Sequence, residues 1–151
     1  MTKDNQGSSK FLDESSPSVQ SHLGIMQGVI NRMAVNSSQC KAWCIAIVSA
    51  ILVIIADKGK PDYAWIALLP AILFSFLDIY YLVLEKGFRD SYNIFVKKVH
   101  QKNVQAEDLF AVKPEGSMYK HRRDAMTSFS IWFFYVGIII LIAITRYVAL
   151  V

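Results

Sequence analysis

Three long apolar runs, Cys40 to Ala56, Tyr63 to Leu84 and Phe129 to Val151, dominate a chain of 151 residues. Each is close to the ~20 residues a helix needs to cross the hydrocarbon core of a bilayer. The competing arrangement is a soluble domain that buries all three as core helices, but the segments left over are too few and too short to cover them. The pattern predicts an all-α integral membrane protein with transmembrane helices at 40–56, 63–85 and 128–151. The first span is the shortest, and Lys41 must snorkel from its end.

The segments between the spans differ in charge, and that difference sets orientation, because short loops rich in Lys and Arg stay in the cytoplasm. Residues 57–62, DKGKPD, balance two Lys with two Asp and form the outer loop. Residues 86–127 carry Lys86, Arg89, Lys97, Lys98, Lys102, Lys113, Lys120, Arg122 and Arg123, with fewer carboxylates, and belong inside. With three spans, the N-terminus is then inside and the C-terminus outside, where Arg146 snorkels to the interface. The net charge of +4 reports a basic inner face, not a soluble nucleic-acid-binding domain. The polar first eighteen residues do not form a signal peptide.

Residues 1–18 lack apolar periodicity and are expected to be a flexible tail. Ser16 and Pro17 mark a helix start, with Ser16 as N-cap. Val19, Leu23, Met26, Ile30 and Met33 then recur at steps of four and three, so 19–39 is an amphipathic helix leading to the first span. Its stripe either lies on the lipid interface or packs against other helices. One cation, Arg32, gives little attraction for anionic lipid, which favours a helical seam. Beyond the second span, Phe88, Tyr92, Phe95 and Val99 continue at helical spacing past Gly87. The 86–127 region is therefore expected to be a basic helical collar, with a turn at Lys113 to Ser117 and a helix from Met118 to Ser128.

No catalytic or metal-binding constellation emerges. Cys40 and Cys44 are one turn apart without a second ligand pair, and His22, His100 and His121 lie on separate segments. No cofactor is expected, and no residue set supports an enzyme. Within the second span, Ala64, Ala67, Ala71, Ser75 and Asp78 fall in a sector of roughly 80° at about 100° per residue. An ionisable residue inside a span is costly unless paired or wet. Asp78 thus either pairs with Lys41 or a neighbouring Tyr or Asn, or joins Ser75 and Ala71 in lining a pore or gate. Pro70, in mid-span, removes one backbone hydrogen bond, and a kink there is either a hinge or a packing adjustment.

The inner cations Lys97, Lys98, Lys102, Lys120, Arg122 and Arg123 offer phosphate contacts, and Tyr92 and Tyr119 offer faces for base stacking. Topology and anionic headgroups account for juxtamembrane cations equally well. Three spans cannot enclose an aqueous path, so a pore requires a symmetric homo-oligomer. The small residues of the second span, and Ala42, Ala46 and Ala50 of the first, supply contact faces for such a ring.

The run HLGIMQGVINRMAVNSSQCKAW before the first span and DIYYLVLEKGFRDSYN at the end of the second, with the layout of residues 20–151, resemble small membrane effectors of bacterial antiphage defence. The resemblance is to the membrane effectors of the Hailong system. It implies a tetrameric inner-membrane channel with a periplasmic C-terminus. It also implies that a single-stranded oligodeoxyadenylate, made by a nucleotidyltransferase-like partner, holds the channel closed, and that losing this ligand depolarises the cell. The alternatives are a nonconducting anchor that docks a cytoplasmic partner, or an effector opened by a nucleotide ligand.

Overall fold

The structure, a computed structural model, describes residues 12–148. Four α-helices make up most of it: α1 (Pro17–Asp57), α2 (Leu68–His100), α3 (Met118–Met126) and α4 (Phe129–Val148), with short 3₁₀ segments at Pro61–Ala67 and Ala106–Asp108. No strand occurs among the described residues. Three helical stretches, Pro17–Asp57, Pro61–His100 and Phe129–Val148, are long and apolar enough to cross a membrane.

α1 starts where the sequence predicts, with Ser16 at the N-cap position and Pro17 at the first helical position, although the Ser16 side chain makes no capping bond. It does not divide at residue 40. No Pro interrupts the helix after Pro17, and the polar run from Asn36 to Gln39 near its middle leaves it continuous, so amphipathic segment and first span are one helix of 41 residues. It ends at Lys58, and Gly59 takes φ +60 to turn the chain. The loop expected over 57–62 is shorter than that, since Pro61 already opens the 3₁₀ segment.

α2 runs antiparallel to α1. The register is visible in the contacts: Ala67, just before α2, and Ala71 in its first turns share a core with Leu52 and Ile55, and Phe95 and Val99 share one with Val19 and Met26. Pro70, expected in mid-span, is the third residue of α2 and sits in its first turn, directly after the 3₁₀ segment. A first-turn N–H has no intrahelical partner to lose.

Two cores result. The larger, at the apolar half, gathers Cys44, Val48, Leu52, Ala67, Ile138 and Ile142 with their neighbours from α1, the 3₁₀ segment, α2 and α4. The smaller, at the polar half, consists of Val19, Met26, Phe95, Val99, Val104 and Leu109. The 86–127 region is not helical throughout. α2 passes through Gly87 to His100, and residues 101–117 return as an irregular strap holding only one 3₁₀ turn. Part of the expected tail is also ordered: Leu12 packs on the smaller core and its N–H donates to the Val104 carbonyl at 3.0 Å. Residues 1–11, the rest of that tail, and 149–151, the end of the third span, lie outside the described residues.

Gly87 explains how the strap returns so closely. A Cβ there would meet the Pro114 Cβ at 2.8 Å, so only glycine admits Pro114 against the helix. The Glu115 N–H donates to the Gly87 carbonyl at 3.0 Å, and the Ser91 hydroxyl donates to the Lys113 carbonyl. Gly116, at φ +87, then lets the chain enter α3 with Ser117 as its cap, the Ser117 Oγ accepting from the Lys120 N–H at 3.4 Å.

Candidate functional site

Antiparallel pairing brings residue 78 of α2 opposite residues 37 and 41 of α1, which are four apart and share a face. Asp78 is 0% exposed. Its Oδ1 accepts from the Ser37 hydroxyl at 2.5 Å, and its Oδ2 lies 2.6 Å from Lys41 Nζ and accepts from the Tyr135 hydroxyl of α4 at 3.3 Å. Lys41 also donates to Ser37 Oγ at 3.4 Å, and its side chain keeps 19% exposure. Three helices are therefore joined at one carboxylate. Both carboxylate oxygens are engaged by donors of the chain itself, so Asp78 is placed as a cross-link and not as a base or ligand.

That placement bears on the pore residues expected from sequence. The stripe Ala64, Ala67, Ala71 and Asp78 is buried inside one chain, packed towards α1 and α4, and is not an outer surface for another subunit. Ser75 is partly exposed, and its hydroxyl donates to its own helix at the Ile72 carbonyl, 2.7 Å away. Ala71 and Asp78 thus face the interior of the three-helix bundle. The stripe on α1 behaves differently: Ala42, Ala46 and Ala50 are exposed. Cys40 and Cys44 are buried free thiols, and among the described residues no cluster of His, Cys, Asp or Glu is arranged for a metal ion.

The six cations expected to form one basic face separate into two groups. Lys97, Lys98 and Lys102 lie at the far end of α2, where Lys98 pairs with Asp108 at 2.8 Å and Lys102 occupies the left-handed region at φ 53. Lys120, Arg122 and Arg123 lie on α3. This helix is docked nearer the middle of α2 by His121, whose Nε2 is 3.3 Å from Asp90 Oδ2. At about 1.5 Å per residue, Lys97 stands roughly 10 Å further along α2 than that contact. Of the two aromatics expected to stack bases, Tyr119 is 80% exposed, whereas Tyr92 packs on the smaller core and its hydroxyl accepts from Gln27 Nε2 at 3.1 Å.

His22 is the residue the sequence reading passed over. It is buried on α1 between Val19 and Met26, its Nδ1 accepts from the Phe110 N–H at 3.0 Å, and its ring meets Phe95 edge-on at 4.5 Å. Burial lowers its pKa from the usual 6.5, a shift opposed by the charge of Asp108. The hydrogen bond from Lys98, with one from the Gln105 backbone, lowers the Asp108 pKa in turn. His22 thus anchors the strap in its neutral form. The signal was present in its spacing, three residues after Val19 and four before Met26, which puts it on the buried stripe.

In comparison with known proteins, no family model matches the chain, and no curated protein or solved structure is similar to it.

Proposed function

We propose that this chain is the subunit of a homo-oligomeric membrane channel, gated by a polyanionic ligand at its polar half. The observation that carries the reading is the outer face of α1. Gly24, Gly28, Asn31, Val35, Ser38 and Ala42 succeed one another at steps of four and three, all of them exposed and turned away from the core. Ala46 and Ala50 extend the small surface into the span. Lipid tails offer nothing to the Asn31 amide and the Ser38 hydroxyl of such a face, while copies of α1 approach closely along it and keep its polar end wet. A ring of these subunits supplies the aqueous path that one chain cannot enclose.

Asp78 acts from behind this face. Through Ser37 and Lys41 it fixes the part of α1 that meets the neighbouring copies, so its role in gating is to hold the pore helix in register. The basic residues support a cytoplasmic position for the polar half. Lys97 and Lys102, at the far end of α2, are the first contacts for a phosphodiester chain, with the exposed Tyr119 on α3. The tetrameric state, and an oligodeoxyadenylate that closes the channel, follow from the resemblance to Hailong effectors.

The test is conductance. Purified full-length protein in planar bilayers is expected to pass current that an added oligodeoxyadenylate suppresses, and cells expressing the chain alone should depolarise by a potential-sensitive dye. Current that the oligonucleotide raises would reverse the sign of gating, since a ligand favours whichever state it binds better. Absence of current and of depolarisation would leave the nonconducting anchor.

A further inference from the structure

Lys120, Arg122 and Arg123 stand one to three turns before α4 begins at Phe129, and no ion pair engages Lys120 or Arg122 among the described residues. Arg123 Nε makes only a 3.7 Å contact with its neighbour Asp124. The junction is fixed. Trp132 Nε1 donates to the Met126 carbonyl at 2.7 Å, and the Trp132 N–H to the Ser128 carbonyl at 3.2 Å, locking the end of α3 onto the first turn of α4. Below it, Phe129, Trp132, Phe133, Val136, Gly137 and Ile140 line an apolar groove of about 520 Å³ along α4. Phe129 is 78% and Phe133 71% exposed. Nothing lies within 4 Å of where a Gly137 side chain would begin, so the groove is open at its glycine.

We propose that this surface holds one anionic phospholipid per chain, with the phosphate on Lys120, Arg122 and Arg123 and an acyl chain along the α4 groove. Charge complementarity selects this occupant. A second copy placed here by its own α3 would set three cations against three. If it came by the free face of α1, it would bring no carboxylate, since none occurs between Pro17 and Ala56. A lipid matches both parts at once, anion to cations and chain to groove, and aromatic rings at the headgroup level are the usual flank of such a site. The inference goes beyond the channel reading and does not depend on it.

Native mass spectrometry of the full-length protein in nonionic detergent tests it, with dioleoyl phosphatidylglycerol and dioleoyl phosphatidylcholine as probes. One phosphatidylglycerol per chain is expected to be retained, about tenfold or more tighter than phosphatidylcholine, given ~1 kcal/mol for each cation near an anionic headgroup. Replacing the three cations together (Lys120→Gln, Arg122→Gln, Arg123→Gln) should abolish that preference. Gly137→Leu should weaken both lipids severalfold without changing it, and the control pair Lys58→Gln with Lys60→Gln, at the opposite end, should change nothing. Equal retention of the two lipids overturns the proposal, as does graded uptake with no one-lipid plateau or an equal loss in the control pair. Displacement of phosphatidylglycerol by oligodeoxyadenylate at the three cations would make this a nucleic-acid site and likewise overturn it.

Discussion

The two cores of this protein are held by different physics. In the apolar half, three helices close on one another through side-chain packing, and a single carboxylate ties all three. In the polar half, a strap of irregular chain is pinned to two helices by backbone donors, a neutral histidine, a glycine contact and one ion pair. The first arrangement responds to loss of a buried charge partner and is insensitive to the solvent. The second responds to proton concentration and salt. A chain built this way carries an environment-sensitive end on an insensitive one.

The largest effect should come from the carboxylate. Lys41→Met leaves Asp78 buried without its cation and is expected to cost about 3–5 kcal/mol, read as a lowered unfolding midpoint in detergent. Adding Asp78→Leu to it should recover most of the loss, because a pair replaced by apolar groups is close to neutral. If Lys41→Met alone were silent, the apolar half would not depend on its cross-link and the contrast would dissolve. Gly87→Ala comes next. The added methyl meets Pro114, at an overpacking cost of about 1–3 kcal/mol, offset by up to ~1 kcal/mol of helix propensity. The expected signature is faster proteolysis within 101–117 with the spans unchanged.

Acid should act on the polar half alone. The folded-state pKa of His22 lies below its ordinary value of 6.5, so His22 takes up the proton first when the strap is released from it, and stability falls as pH drops below about 6.5. Amide exchange at Phe110 should therefore accelerate between pH 7.5 and 5.5, while amides around Asp78 stay protected. Asp108 works in a different window: its pKa is lowered below 3.8, so its contribution persists until strong acid. Uniform protection at both pH values would remove the distinction between the halves. The smallest effect belongs to Arg146, which reaches the exposed Asp62 at 3.2 Å and lies over the Trp65 ring at 5.5 Å. Arg146→Gln should shift stability by about 0–1 kcal/mol, less at high salt.

Sequence alone located the three long apolar helices, the start of α1 at Ser16–Pro17, and the continuation of α2 through Gly87. These signals are local, being written in periodicity and punctuation. The partners of Asp78 were only partly legible: Lys41 and a neighbouring Tyr or Asn were the options, but Ser37, and which tyrosine it is, depend on antiparallel register and on the position of α4, which no single segment encodes. The split of the basic face was invisible for the same reason, since the strap returns α3 to the middle of α2 and leaves Lys97 and Lys102 apart. Pro70 was read as mid-span because span boundaries were drawn from hydropathy, which does not register that the first turns of the span are 3₁₀ and that the α-helix begins only at Leu68.

α1 is a single helix of 41 residues that contributes to both cores. At ~1.5 Å per residue it is a rod about 60 Å long. A rod of that length is a lever: tilting it by about 5° moves its far tip by about 5 Å, a helical-turn displacement from a small change of angle. A tilt of α1 accompanying release of the strap at His22 would therefore displace Leu52 and Ile55 as well, with no relay of intermediate contacts required.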